Sequence, residues 1–121
     1  MSSKLLVVLF LSAPVFAHDA HGRANAPLEA RRIHNPLTAS EAALGTGQAL
    51  FDSSCATCHG PDGKARTVLA GKLSVRPTDL SNYLMESMRD GEIYWVVVNG
   101  IGDHMPAFEG TLDETQRWQV V

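Results

Sequence analysis

The chain of 121 residues has only two cysteines, Cys55 and Cys58. A structural zinc site built on a C-x-x-C pair needs a second pair of soft ligands, and no further cysteine is present to supply one. A thioredoxin-like dithiol is typical of a βαβ setting, which the glycine-rich, helical sequence around the pair does not indicate. These two uses of a C-x-x-C pair are therefore disfavoured.

Positive charge is also scarce. Ten Lys and Arg residues stand against thirteen Asp and Glu residues, which gives a formal net charge of −3. This balance argues against nucleic acid or an anionic membrane surface as the partner, since both attract basic proteins. A partner protein with a basic docking patch suits an acidic chain better.

Long apolar runs are absent except at the start of the chain. Residues 1–17 have a positive charge at Lys4, a short apolar stretch from Leu5 to Leu11, and small residues before a cleavage site after Ala17. The pattern predicts a secretory signal peptide, because the run is too short to span a bilayer. An uncleaved anchor is the alternative. We expect an exported, periplasmic and soluble protein.

The two cysteines belong to the run Cys55-Ala56-Thr57-Cys58-His59. C-x-x-C-H is the attachment motif of a c-type haem. Two thiols at this spacing can each add to a vinyl group of one porphyrin, and the following imidazole can then bind the iron. We therefore predict one covalently attached haem c, with thioethers from Cys55 and Cys58 and His59 as an axial iron ligand. An aromatic content of 7% is compatible with this, because a core built around a macrocycle needs fewer large side chains.

A second axial ligand has to be a thioether or an imidazole, because no third cysteine exists. The donors available in the sequence are Met85, Met88, Met105, His104 and the histidines of the amino-terminal region. Met85 and Met88 fall three positions apart in a helical pattern, which is more typical of core residues. Met105 precedes Pro106, and proline restricts the backbone of the residue before it. We therefore predict Met105 as the second axial iron ligand.

The sequence predicts three segments: the signal peptide 1–17, an extended leader 18–40 that packs loosely, and a helical domain 41–121. Within the leader, His18, Asp19 and His21 offer a weak alternative as a divalent metal site. In the domain, a helix begins at the N-cap Ser40, and a short helix follows Ser81 or Asn82. A third helix runs from Gly91 to Asn99 and ends at Gly100, although three consecutive valines allow a strand there.

A last helix is predicted from the capping box Thr111-Leu112-Asp113-Glu114, with Trp118 and Val121 on its inward side. The sequence stops after barely two turns of this helix. We expect the natural protein to continue beyond it.

With these residues in place, the stretch from about Ala42 to Val121 resembles a class I monohaem c-type cytochrome of the small bacterial periplasmic kind. The resemblance rests on Gly47-x-x-x-Phe51, on the C-x-x-C-H-Gly60 run, and on Gly100 to Met105-Pro106 followed by a helix with Trp118. It implies an all-α fold of four to five short helices around one haem, with the first helix crossing the last. It also implies that a proline carbonyl, here that of Pro77, accepts the Nδ1 proton of His59.

The function expected from these features is one-electron transfer between periplasmic or membrane redox proteins, without enzymatic activity. The alternatives are a haem-bearing subunit of a dehydrogenase or terminal oxidase, and a ligand-binding sensor or enzyme. Asp52 and Asp62 could orient a basic redox partner. Arg66 and Arg76 could bind haem propionates. Tyr94 and Trp95 could do so as well, although these residue types are more often core residues.

Overall fold

Helices make up the regular structure of the part of the chain that this computed structural model describes, residues 26–121. They are a 3₁₀ helix, Leu28–Arg32, followed by α1 (Glu41–Ser54), α2 (Ala56–His59), α3 (Tyr83–Glu86), α4 (Asp90–Asn99) and α5 (Glu114–Gln119). Over residues 26–121 the single β feature is a bridge between Ile101 and Met105. The predicted all-α fold is confirmed.

Helix α1 begins where the sequence predicts. The Ser40 hydroxyl accepts a hydrogen bond of 3.2 Å from the backbone N–H of Ala43, which satisfies one of the free donors of the first turn. At the other end, the Cys55 N–H donates to the Phe51 carbonyl at 2.8 Å, so the first cysteine continues directly from the last turn of α1.

Helix α4 contains the three valines, and the alternative of a strand is wrong. Arg89 is its N-cap, and the Glu92 carboxylate accepts the Arg89 backbone N–H at 3.0 Å. The helix ends at Gly100, whose φ of +68° is a conformation that glycine adopts without steric cost. Helix α4 therefore ends where the sequence predicts and begins at Asp90, one residue before the predicted start.

The start of α5 differs from the prediction. Its N-cap is Asp113, whose carboxylate accepts from the Gln116 N–H at 2.8 Å while the Gln116 side chain accepts from the Asp113 N–H at 2.9 Å. Thr111 is not the cap, because the N–H groups of Thr111 and Leu112 both donate to the Phe108 carbonyl in a preceding turn. Leu112 is buried by that turn.

Helices α1 and α5 pack closely at Gly47. A Cβ atom at Gly47 would overlap the backbone carbonyl of Gln119, so only glycine permits this approach. Trp118 is buried, and its ring stacks on Tyr94 of α4 with centroids 3.8 Å apart and planes inclined by 13°. The helix contact implied by the family resemblance is present.

The described part of the leader, residues 26–40, is held by specific contacts, contrary to the loose packing that we expected. The Gly91 N–H donates to the Ile33 carbonyl at 3.2 Å, and Arg31 pairs with the buried Glu92 at 2.9 Å. The Asn35 amide donates to the Trp118 carbonyl at 2.9 Å. The 3₁₀ helix and its flank thus hold α4 and α5 together.

Two predictions lie outside the described residues, namely the signal peptide 1–17 and the metal-binding alternative at His18, Asp19 and His21. Among the helices from residue 26 onward, none has the length and apolar character needed to cross a membrane.

Candidate haem-binding site

The C-x-x-C-H run forms a single helical turn after α1. The N–H groups of Cys58 and His59 both donate to the Cys55 carbonyl, at 3.1 and 2.9 Å, and Gly60 ends the turn with a φ of +77°. Both cysteines are half-buried free thiols. Burial raises the pKa of the Cys55 thiol, and the neighbouring Cys58 raises it further. One turn of backbone therefore presents two thiols and an imidazole in the order that the motif predicts.

A backbone carbonyl fixes the orientation of the His59 ring. The His59 Nδ1 atom lies 3.1 Å from the carbonyl oxygen of Thr78, which selects the tautomer with its proton on Nδ1 and leaves Nε2 free to bind a metal. The carbonyl of Pro77, which the resemblance implied, is not the partner. The acceptor is one residue further along the chain.

Met105 lies in a small loop after α4 whose ends are tied together. The backbones of Ile101 and Met105 exchange two hydrogen bonds, of 2.9 and 3.3 Å, and the Phe108 N–H donates to the Val97 carbonyl at 3.0 Å. A Cβ at Gly100 would overlap the Met105 carbonyl. The loop thus folds back on the end of α4, and these hydrogen bonds determine the position of the Met105 backbone.

Two adjoining cavities, of about 250 and 140 Å³, open onto these residues, and Cys55, His59 and Met105 line both of them. Thr78 and Ile101 are also shared, and Cys58 lines the smaller cavity. The remaining walls of the larger cavity are mostly apolar side chains from α1, the segment before α3, α4 and the carboxy-terminal residues, including Phe51, Leu80, Ile93, Val96, Val97, Val120 and Val121. Two thiols, one imidazole and one thioether in an apolar cleft are the donor set and surroundings that a c-type haem requires. The residues fit the group.

The structure also places the other candidate axial donors of the domain at the cleft. Met85 and Met88 line the larger cavity together with Met105, and His104 lines the smaller one but is exposed. The two methionines of the α3 region are therefore wall residues of the cleft and not distant core residues. They are matched controls for any test of Met105.

Three residues contribute to the site through their backbone, and their residue types do not indicate this role. Thr78 acts through its backbone carbonyl, which any residue possesses, and Ile101 acts through its backbone pairing with Met105. Ala65 is buried with a φ of +54° and its N–H donates to the His59 carbonyl at 2.7 Å. An unusual backbone conformation at an alanine is not encoded by residue type.

Of the residues considered for propionate binding, Tyr94 is half-buried and lines neither cavity. Its ring stacks on Trp118, and its hydroxyl accepts from the Arg117 guanidinium at 3.4 Å. Arg76 lines the smaller cavity, whereas Arg66 and Trp95 line neither cavity.

Comparison with known families agrees with this geometry. The sequence profile of the family described as "Cytochrome C oxidase, cbb3-type, subunit III" matches residues 42–121. The chain belongs to this family. It is a c-type cytochrome, and its cofactor is a covalently bound haem c. The matched range spans α1 to α5 and includes the whole cleft.

Solved structures lead to the same fold. The cytochrome resembles the "KustC0563 c-type cytochrome" with 25% identity and a TM-score of 0.54, over 61% of this chain and 87% of that one. It also resembles the "Kuenenia stuttgartiensis reducing HAO-like protein complex Kustc0457/Kustc0458", with 23% identity and a TM-score of 0.57, over 73% of this chain and 41% of that one. The second likeness shows the fold alone. No curated protein matches the sequence.

Proposed function

We propose that the protein is a one-electron carrier whose haem is attached through Cys55 and Cys58 and whose iron is bound axially by His59 and Met105. The observation that supports this most strongly is that Met105 lines both cavities together with His59, whereas Met85 and Met88 line only the larger cavity. Membership of a c-type cytochrome family supports electron transfer as the task.

Each residue has a defined part in this proposal. The Thr78 carbonyl holds the proton of His59 on Nδ1, so that Nε2 presents a lone pair to the metal. The loop closed by Ile101 holds the Met105 thioether in place. The apolar walls of the cleft exclude water and keep the surroundings of the iron at low dielectric.

A haem iron gains and loses one electron at a time, and a thioether ligand together with burial favours its ferrous form. With an imidazole and a thioether both assigned, no axial position is open to oxygen or peroxide. This favours a carrier over a sensor or an enzyme. Fixed ligand loops also keep the structural change between oxidation states small.

Met105→Leu tests the ligand assignment. Leucine conserves most of the volume but has no sulfur, so the weak near-red absorption band of iron–thioether ligation in the ferric protein should disappear, and the ferrous protein should bind carbon monoxide rapidly. Met85→Leu and Met88→Leu should keep the band and stay unreactive. A band that survives Met105→Leu but vanishes in either control variant would assign the sulfur to α3 or its flank.

A haem-bearing subunit of an oxidase or dehydrogenase is the second candidate. The description of the matched family names a subunit of a cytochrome c oxidase, and one structural neighbour belongs to a protein complex. Haem staining of native gels separates the two cases, since a free carrier migrates as one small protein and a subunit migrates with its complex.

For the chain as a whole we propose export to the periplasm after removal of residues 1–17, with residues 18–40 as a leader and 41–121 as the cytochrome domain. The mature protein should then begin at His18, which its intact mass will show. The net charge favours a basic partner, and Asp52 and Asp62 are both exposed. Each already accepts a local hydrogen bond, from Gln48 and from the Lys64 N–H respectively.

A further inference from the structure

The charge of the chain is unevenly distributed. Residues 64–76, which we name the basic loop, contain four of the ten Lys and Arg residues and none of the thirteen Asp and Glu residues. Its cations are Lys64, Arg66, Lys72 and Arg76, and all four are exposed. Over residues 26–121 the single ion pair joins Arg31 to Glu92. Asp79 interacts electrostatically with Lys64 and Arg66, and Asp62 accepts a hydrogen bond from the Lys64 N–H, so the four cations outnumber the two carboxylates beside them. An acidic protein thus presents a locally positive surface.

The same loop exposes apolar side chains. Val68 is 78% exposed, Val75 50%, and Leu69 and Leu73 are 38% and 37% exposed. Single apolar residues on a surface are ordinary, but here four exposed ones fall in one short segment, interleaved with cations. Interaction surfaces combine apolar and charged side chains in this way.

The basic loop is fixed against the haem-binding turn. The Ala65 N–H donates to the His59 carbonyl at 2.7 Å, and the Thr67 hydroxyl lies 3.4 Å from the Cys58 carbonyl. At its far end, Val75 and Arg76 line the smaller cavity together with Cys58. The loop therefore borders the cleft on the side of the cysteines, where a docked protein would come closest to the haem.

We propose that the basic loop is the docking surface for an acidic redox partner protein, whose carboxylates surround an apolar contact area. This rests on the proposed function as an electron carrier and names the chemistry of one of its partners. The net charge of the chain is negative and favours a basic partner, whereas the basic loop next to the cleft is positive and favours an acidic one. Positive charge here and negative charge elsewhere would also orient the molecule during approach.

The test uses the ferric holoprotein and an acidic plant-type [2Fe–2S] ferredoxin as the electron donor in stopped-flow experiments. The second-order rate constant should fall as ionic strength rises, since attraction between exposed charges is screened by salt. At low ionic strength, Lys72→Glu should lower the rate by roughly five- to tenfold, and Val68→Ser should lower it by roughly threefold.

Matched controls are available on the 3₁₀ helix. Arg32→Glu reverses one exposed cation and Leu28→Ser removes one apolar side chain that is 74% exposed. Neither should change the rate by more than about twofold, since distant exposed charges are largely screened. If the variants of the 3₁₀ helix lose as much of the rate as those of the basic loop, or if the rate rises with ionic strength, the docking proposal is overturned and the assignment of electron transfer is unaffected. A holoprotein that no redox protein can reduce would overturn the proposed function itself.

A binding measurement completes the test. Amide chemical shifts of the ferrous protein should change across residues 64–76 when a gallium-substituted ferredoxin, which cannot exchange electrons, is added. The alternative occupant of a basic and apolar patch is an anionic membrane surface. Sedimentation with phosphatidylserine vesicles that depends on Lys72 and Val68, together with unchanged shifts in the presence of ferredoxin, would overturn the proposal in favour of lipid.

Discussion

At the scale of single residues, the position of the His59 ring depends on a short exposed loop. The carbonyl that accepts from His59 belongs to Thr78. The next residue, Asp79, stabilises a turn, because its carboxylate accepts hydrogen bonds from the Ser81 hydroxyl at 2.6 Å and from the Ser81 N–H at 2.8 Å. These bonds from Ser81 lower the pKa of the Asp79 carboxyl below its ordinary value of 3.8. The turn that positions the metal-ligand candidate is thus sensitive to acid.

The lowered pKa predicts the pH dependence of stability. A carboxylate that binds its proton more weakly in the folded state stabilises the fold above its unfolded pKa, and the contribution is lost as the pH falls through the folded pKa. Asp79→Ala should therefore be less stable than wild type at neutral pH, and the two should converge in strong acid. Urea unfolding of the holoprotein across pH measures this, with Asp103→Ala as the control for removing one exposed carboxylate. A difference that persists unchanged below pH 3.8 would contradict it.

At the scale of helices, the crossing of α1 and α5 depends on one missing side chain. Gly47→Ala places a methyl group against the Gln119 carbonyl, so the helices must separate, and overpacking of this kind costs about 1–3 kcal/mol. Gly45→Ala, two residues away on the same helix, meets nothing within 4 Å and should stabilise the protein by about 0.5–1 kcal/mol through helix propensity. Denaturant unfolding of both variants checks the pair. If both substitutions change the free energy of unfolding in the same direction, helix propensity determines the effect at Gly47, and the close approach of α1 and α5 does not.

The elements that could be predicted from sequence are those whose signals are local. Ser40 caps α1 and Gly100 ends α4 because the cap and the left-handed terminus involve only adjacent residues. The start of α5 is predicted at Thr111-x-x-Glu, whereas in the structure Asp113-x-x-Gln forms the capping box. The hydrogen bonds from the Thr111 and Leu112 N–H groups to the Phe108 carbonyl decide between them, and these backbone groups are present in any residue type.

The parts that could not be predicted depend on contacts between distant segments. The leader packs on α4 because Gly91 leaves room for the backbone of Ala30 and Ile33, and no periodicity of residues 26–40 shows this. The carbonyl that orients His59 is likewise a backbone atom of a loop. In the cleft, the chemical donors follow from residue type, whereas the groups that position them do not.

At the scale of the whole molecule, the polypeptide encloses little apolar surface of its own. In residues 26–121 no large side chain is fully buried, and the buried apolar residues are Ala30, Ala65, Ala70, Val97, Leu112 and Trp118. Small domains bury a low fraction of their surface and are marginally stable without further support. The apolar walls of the cleft, contributed by α1, α4 and the carboxy-terminal residues, therefore need the haem between them to complete a core.

We accordingly expect haem attachment to determine whether the chain folds. The variant Cys55→Ser/Cys58→Ser, prepared without haem, should lose most of its helical circular dichroism and unfold without a cooperative transition, because a group bound only by the folded state supplies its binding energy to folding. Met105→Leu is the control, since it keeps the covalent haem and should keep the helical signal. A haem-free variant that melts cooperatively near the temperature of the holoprotein would show that the helices hold together through contacts such as Gly47–Gln119 and Tyr94–Trp118 alone.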